Sequence, residues 1–509
     1  MRRLDRQGCG WASRCCALVL AMVGSFLGSE DSTGAESESA KPNILWFIVD
    51  DMSANYSCYG ERSIETPHVD RLAEEGTLFR NAFITAPVCS PCRSALITGM
   101  YQTSIGAHHH RSGRGERKIH LPEGVTPLPV LFQQAGYYTC IGSGLDGASD
   151  PPTAKRKALG KTDYNFEHDL SMYDASDWRN RQPEQPFFMQ VQLAGGKLRG
   201  GTDASATRFA EQAAKEFGRS VDPQSVELPP YYPRDPVLLR DWAAYLDSVR
   251  MTDLHVGKVI ERLKREGIYE NTWIAFMTDH GISHARGKQF LYNEGTHVPL
   301  VIRGPGVAAG KIREDLVEHI DLAATSLRVA GIGLHASMQG EDLLSESYEP
   351  KDAVFAARDR CDETVERIRS VRTDRYLYIR NYHPERPHLQ PNAYKDGKSI
   401  VKTLRRLHEA KELSALSERL LFSPTRPAEE LYAWREDPWQ LTNLAGDSRY
   451  RSELEGHRAR LDRWIVETGD RGAESEQMYD SDMAVYVGKG NPVVEENIRL
   501  MKQWRAEGK

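Results

Sequence analysis

Asn43-Ile44-Leu45-Trp46-Phe47-Ile48-Val49, closed by Asp50-Asp51, is the stretch on which the fold turns. A continuous apolar run of this length, ending in two acids, reads as a strand buried on both faces. Such strands belong to parallel sheets, and here carboxylates stand at the carboxyl end. Working outward, Thr66-Pro67 predicts a helix start, with Thr66 as N-cap, Pro67 at the first position and Gly76 as the stop. A strand follows at about 78–84, then a helix after Pro91 that leaves Cys89 at or near its N-terminus. A short helix at 130–135 and strands at 137–141 and 187–193 come next. Trp242, Tyr245, Leu246, Val249, Val256, Val259, Ile260 and Leu263 keep helical spacing over 240–266, stopped by Gly267. A second buried strand, 273–277, again runs into acid and imidazole, Asp279-His280, and 298–302 continues the pattern. Strands alternating with helices predict an α/β fold, a large mixed and mostly parallel sheet sandwiched by helices.

The pattern changes after about residue 350. Tyr376-Leu-Tyr-Ile379 alternates as a strand, a basic Pro-containing stretch runs to about 410, and 454–466 reads as a terminal helix. The expected organisation is a leader over 1–35, a catalytic domain over 36–350 and a smaller C-terminal α+β subdomain over 351–509. Arg2, Arg3, Arg6 and Arg14 precede an apolar run at 15–27 that is too short to span a bilayer, which needs ~20 residues. Small polar residues follow, so the segment fits an export signal and a secreted or periplasmic location; an uncleaved anchor is the competing reading. Lys+Arg total 66 against Asp+Glu 72, so the basic excess of a nucleic-acid binder is missing, and nothing else suggests a membrane partner. Three of eight cysteines fall in or before the leader. The remaining five, Cys58, Cys89, Cys92, Cys140 and Cys361, are too few and odd in number for a disulfide framework. Cys89-Ser-Pro-Cys92 lacks the second pair or histidines of a zinc site.

Two strands of one sheet thus end in acids, and ligands of open α/β sheets bind at the carboxyl ends of strands. Carboxylates converging there suit a hard cation, Ca²⁺ or, less well, Mg²⁺. Between them lies Val88-Cys89-Ser90-Pro91-Cys92-Arg93-Ser94-Ala95-Leu96-Ile97-Thr98-Gly99. Cys89, Pro91 and Arg93 fill the C-x-P-x-R signature of the formylglycine-dependent sulfatases, members of the alkaline phosphatase superfamily, and the chain resembles that family. The likeness extends to Asn43–Asp51, to Thr66-Pro67-His68-Val69-Asp70-Arg71-Leu72-Ala73, to Asp279-His280-Gly281 with Lys288 and Val298-Pro299-Leu300, and to Glu430-Leu431-Tyr432 through Asn443-Leu444. It covers nearly the whole chain beyond the leader, in family order.

The resemblance implies an alkaline phosphatase-like fold and a sulfatase. In that family a separate formylglycine-generating enzyme oxidises the signature cysteine, here Cys89. The hydrated aldehyde attacks sulfur and releases sulfate by collapse of a hemiacetal. By the same resemblance Asp50, Asp51, Asp279, His280 and the modified Cys89 hold the cation, with His280 the odd donor in an oxygen set. Arg93 stabilises the formylglycine and Lys288 holds the sulfate. The family's G-K-x-H matches Gly160-Lys161-Thr162-Asp163 after an insertion, since Gly144 takes the lysine's place by simple counting. Asp163 then replaces a histidine, and Lys197 replaces the histidine of a Pro-His pair after the strand at 187–193. Lys197 is expected as leaving-group acid or sulfate anchor.

His108-His109-His110-Arg111 reads as a polar loop or as a border of the substrate pocket. His284, Arg286 and His297 are candidates for substrate contact only, and the basic run 402–408 is a solvated helix face or a contact for an acidic glycan. The expected substrate is a sulfated carbohydrate carrying sulfate esters, with a sulfamate also open. The alternatives are a phosphoester or phosphonate hydrolase on the same scaffold, and a non-catalytic glycan-binding homologue, the latter motivated by Asp163 and Lys197.

Overall fold

Strand β1 (Asn43–Val49) is buried along its whole length, and its side chains divide by parity, as the two-residue period of a strand requires. Leu45, Phe47 and Val49 enter one apolar cluster, Ile44, Trp46 and Ile48 the other. The first cluster is closed by α1 (Pro67–Glu74) and by the long α4 (Pro236–Arg265) through Trp242, Tyr245, Val249 and Val256. The second is closed by α2 (Cys89–Thr98), α3 (Leu128–Gln134) and the helix Asp321–Val329, whose Ser326 Oγ accepts from Trp46 Nε1 at 2.9 Å. Helices on both faces are what makes a fully apolar central strand necessary.

The computed structural model describes residues 41–146 and 161–509; the expected leader lies outside the described residues. The other strands of the main sheet are β2 (Thr77–Phe83), β3 (Tyr138–Gly142), β4 (Phe187–Leu193), β5 (Thr272–Thr278), β6 (His297–Arg303) and β7 (Lys311–Glu318). They lie in the order β3-β4-β1-β5-β6-β2-β7. β6 alone runs against the rest, pairing antiparallel with β5 and β2. A second, antiparallel sheet, in the order β11-β10-β9-β8, comprises β8 (Val354–Arg358), β9 (Ile368–Arg372), β10 (Leu377–Asn381) and β11 (Glu429–Tyr432).

Two sequence expectations need correction. Thr66 does stand at the N-cap of α1 but makes no capping bond; its Oγ1 donates to Asp70 Oδ1 at 3.2 Å instead. The helix expected at the C-terminus, Arg451–Glu467, is followed by two more, Glu476–Met483 and Pro492–Ala506. They pack on the loops at the site end of the main sheet, with Asp482 accepting from the backbone N–H of Arg114 at 3.1 Å. No helix among the described residues is long and apolar enough to cross a membrane. The basic helix Ser399–Glu409 buries Ile400, Val401, Leu404 and Leu407 and leaves Lys402 and Arg406 exposed, the solvated face.

Candidate active site

Three adjacent strands, β4, β1 and β5, end side by side, and the residues that follow them build the site. After β1 come Asp50 and Asp51, the latter with a left-handed φ of +60°, a conformation non-glycine residues hold only where their surroundings impose it. After β4, Gly195-Gly196 lets the chain lie directly on the end of β1. A Cβ on Gly195 would stand 2.1 Å from the Asp50 carbonyl oxygen, and one on Gly196 would stand 2.1 Å from that of Asp51. This approach carries Lys197 Nζ to 2.6 Å from Asp50 Oδ2. After β5 come Asp279, whose N–H donates to Val49 O at 2.8 Å, and His280. Cys89 is the first residue of α2, at the positive end of that helix, where a thiolate is favoured.

Cys89 Sγ lies 3.0 Å from Lys288 Nζ, 3.1 Å from His280 Nε2 and 4.0 Å from both Asp50 Oδ1 and Lys197 Nζ. Burial would push its thiol up, but Lys161, Lys288, His280 and Lys197 together hold it well below the usual thiol range. Lys161 Nζ donates to Asp50 Oδ2 at 2.5 Å and Lys288 Nζ to Asp51 Oδ1 at 3.2 Å. Burial and Cys89 raise the Asp50 carboxyl; Lys161, Lys197 and Arg93 bring it below the ordinary carboxylate value. Arg93 lies beneath, its Nε donating to Asp279 Oδ2 at 2.8 Å and its Nη1 to Gln192 Oε1 at 2.5 Å.

Asp50, Cys89, Asp279 and His280 each offer a ligand atom within 4.8 Å of the others. Among the described residues Asp279 Oδ1 is buried with no hydrogen-bond partner, 3.3 Å from His280 Nε2, and His280 Nδ1 donates to Gly281 O at 2.9 Å, which leaves Nε2 facing the cluster. An orphaned carboxylate oxygen, a second carboxylate and a fixed imidazole fit a divalent cation. Asp51 is outside that group of four. Its Oδ1 sits 3.6 Å from His280 Nδ1 and its Oδ2 accepts from Tyr394 Oη at 3.3 Å.

Cys89, Lys161, Lys197 and Lys288 line one cavity of about 410 Å³, together with His110, Arg111, Arg114, Asp163, Asp362 and Tyr394. The expected site residues therefore come together, with Arg93 under the floor rather than on the wall. Asp163 stands 3.5 Å from Lys161 Nζ and is pinned at 2.6 Å by Arg114. His284, Arg286 and His297 do not reach this cavity. His284 Nε2 pairs with Asp241 at 2.6 Å, Arg286 stacks on Tyr292 and donates to Gln440 O, and His297 bonds Arg80 O, all structural roles. Of the histidine tract, His110 lines the cavity, whereas His108 turns to Gly472 O at 2.9 Å. Cys92 packs in the core beside Leu96, apart from Cys89's partners. Sequence reasoning did not find Asp362, Arg114 or Tyr394; none of them sits in a motif.

A buried carboxylate–imidazole–thiol cluster facing a cavity walled by lysines suits a divalent cation and a small bound oxyanion. Residues 42–332 match the family described as Sulfatase, and the chain belongs to it, the formylglycine-dependent sulfatases, as a sulfuric ester hydrolase. Residues 280–421 also match the family described as N-sulphoglucosamine sulphohydrolase, C-terminal. An ulvan-active sulfatase of Formosa agariphila is 32% identical, over 84% of this chain and 76% of its own. The human N-sulphoglucosamine sulphohydrolase is 27% identical, over 90% and 94% respectively. A structure solved with its substrate D-glucosamine-2-N,6-O-disulfate superposes with a TM-score of 0.58 at 19% identity, covering 86% of this chain and all of that one. A phosphonate monoester hydrolase from Silicibacter pomeroyi gives 0.55 at 19%, covering 84% and 96%. At such identities these two show the shared fold alone.

Proposed function

We propose that the chain is an exported sulfatase that removes sulfate from a sulfated carbohydrate, with Cys89 matured to formylglycine and Ca²⁺ held by Asp50, Asp279, His280 and residue 89, and Asp51 alongside. The observation that carries this reading is the seat of Cys89 Sγ, 3.0 Å from Lys288 Nζ and 4.0 Å from Asp50 Oδ1 on the floor of a cationic cavity. Formylglycine supplies, as its hydrate, an oxygen nucleophile for sulfur; the cation lowers that nucleophile's pKa and screens the sulfate charge. Lys161, Lys197 and Lys288 present ammonium groups to a sulfate seated above residue 89. Fixed cations serve a spread, weakly basic anion better than single hydrogen bonds do. Arg93 fixes the Asp279 carboxylate through Oδ2 and leaves Oδ1 to the cation. Residues 36–350 carry these groups, and 351–509 form the subdomain that walls the cavity with Asp362 and Tyr394.

A sulfamate on an amino sugar is a second reading. It is favoured by the match of 280–421 to the C-terminal family of N-sulphoglucosamine sulphohydrolase and by the full-length likeness to the human enzyme. The deciding experiment is the mass of the Cys89 peptide from natively produced protein. Formylglycine is expected; unmodified cysteine in fully active enzyme would refute the mechanism.

A further inference from the structure

A sugar hydroxyl is a poor leaving group, and its departure from sulfur needs a proton donor. Neither residue that stands where the family places histidine meets that need. Asp163 is held by Arg114 and Lys161, an acceptor rather than a donor. Lys197 Nζ is bonded to Asp50 Oδ2 at 2.6 Å and stands 4.0 Å from Cys89 Sγ, a fixed cation for the sulfate rather than an acid for the leaving oxygen.

The geometry points to His110 as the catalytic residue that protonates the leaving oxygen, with Asp362 as its positioning residue. His110 lines the cavity, and one of its ring nitrogens lies within 4.8 Å of both Cys89 Sγ and an Asp163 carboxylate oxygen. Its Nδ1 stands 3.2 Å from Asp362 Oδ1 and 3.6 Å from Cys361 Sγ. Among the described residues its Nε2 is buried without a hydrogen-bond partner. A carboxylate on one nitrogen and nothing on the other is the arrangement that fixes a ring with its second N–H free to give. His168, also in the cavity lining, has its Nδ1 on a backbone carbonyl, Phe166 O at 2.9 Å, rather than on a carboxylate.

The dyad is held by backbone as well as by its own ion pair. Arg360 Nη1 donates to the carbonyls of both His110, at 3.1 Å, and Asp362, at 2.8 Å, while His110 N–H returns to Arg360 O at 2.8 Å. Arg360 is anchored in turn by Glu474 at 2.7 Å and Asp482 at 2.7 Å, from the C-terminal segment. Asp362 and the neighbouring Arg111 both take left-handed φ values, +50° and +57°, strain that persists where the surroundings dictate the geometry. The charged and titratable groups facing His110 are Asp362 and Cys361 on the β8–β9 loop, Arg111 beside it, and Cys89, Asp163 and Lys288 in the cavity. Burial opposes a charge on the ring, and Asp362 with Cys361 overrides it, holding the imidazole well above its ordinary value.

In the step, a bond forms from the attacking oxygen to sulfur and the bond from sulfur to the sugar oxygen breaks. The electron pair goes to that oxygen, which takes the proton from His110 Nε2. The ring is left neutral and is reprotonated from solvent. This assignment rests on the sulfatase reading above, and the test separates the two. His110→Gln and Asp362→Asn are assayed beside the wild type on 4-nitrophenyl sulfate, phenyl sulfate and D-glucosamine-2-N,6-O-disulfate, with melting curves and metal content as controls.

For His110→Gln a loss of ~10²–10⁴-fold in kcat is expected on the sugar and phenyl esters, and under ~10-fold on the nitrophenyl ester. For Asp362→Asn the alkaline limb of the wild-type pH–rate profile should move to lower pH on the poor leaving groups. Equal losses on all esters, no loss, or an unmoved profile in Asp362→Asn would overturn the role of His110 while leaving the sulfatase intact. A wild type inactive on every sulfate would overturn both.

Discussion

Lys288→Met removes one ammonium group from the floor of the cavity with little change in volume. Lys288 is 3% exposed, and its Nζ stands 3.0 Å from Cys89 Sγ and 3.2 Å from Asp51 Oδ1. Burial alone would lower its pKa; Asp51 and Cys89 raise it well above the ordinary lysine value. A unit charge 3 Å from a sulfate oxygen contributes about 5 kcal/mol at an effective dielectric near 20, an upper bound on what the substitution removes. Loss of one preorganised donor costs about 10²–10³ in rate in comparable sites. We therefore expect kcat/KM on an aryl sulfate to fall by about 10²–10³, with kcat and KM both affected because the sulfate keeps its charge from ground state to transition state. The assay is steady-state kinetics on 4-nitrophenyl sulfate, with the formylglycine content of the variant measured in parallel. A loss under about threefold in a fully matured variant would refute the placing of sulfate against Lys288.

Asp50→Ala takes a carboxylate from the cation cluster and the shared anchor from Lys161 and Lys197. Turnover should fall by several kcal/mol of transition-state stabilisation, more than about 10³-fold, and bound metal should fall with it by elemental analysis; chelation of the wild type should do the same. Activity and metal content that both survive would show that the cluster is misassigned. Acid stability is tied to neutral buried histidines such as His319, whose Nδ1 accepts from Thr85 N–H at 3.3 Å and whose pKa burial lowers to about 4. The unfolded chain binds that proton near pH 6.5 and the native chain near 4, so between these values the unfolded state holds more protons and stability falls as pH falls. His319→Gln should flatten that part of the melting-temperature profile; an unchanged slope would remove His319 from the account.

The centre of the fold was open to reading because its strands are buried on both faces. β1 and β4 match the expected 43–49 and 187–193 residue for residue, since an unbroken apolar run has only one place to lie. β7 was invisible for the opposite reason: Lys311-Ile-Arg-Glu-Asp-Leu-Val-Glu318 is an edge strand whose first half faces solvent and carries charges. Cys89, Arg93 and the acid clusters could be named because they stand in short motifs at strand and helix ends. Lys161 could be matched across an insertion only by the Gly160-Lys161 pair. Asp362 could not, because it meets His110 across a sequence separation of some 250 residues and its pairing depends on a loop of the second sheet. The three histidines in a row looked equivalent, and only the backbone turn at Arg111 and the clamp of Arg360 sort one toward the cavity and the others away.

The burial of Cys89 sets a timetable. The thiol is 3% exposed in the folded chain, walled in by His280 and Lys288. An enzyme acting on that side chain has no access once those groups are in place. His280 lies 191 residues further along, which a ribosome adding about 5–20 residues per second makes in about 10–40 s. Under the maturation proposed above, oxidation of Cys89 would thus be a race between a modifying enzyme and the arrival of β5. A substitution that speeds early collapse around α2 would lower the matured fraction while leaving the folded site unaltered, and a protein made faster than its maturation enzyme can work would accumulate as a well-folded, inert cysteine form.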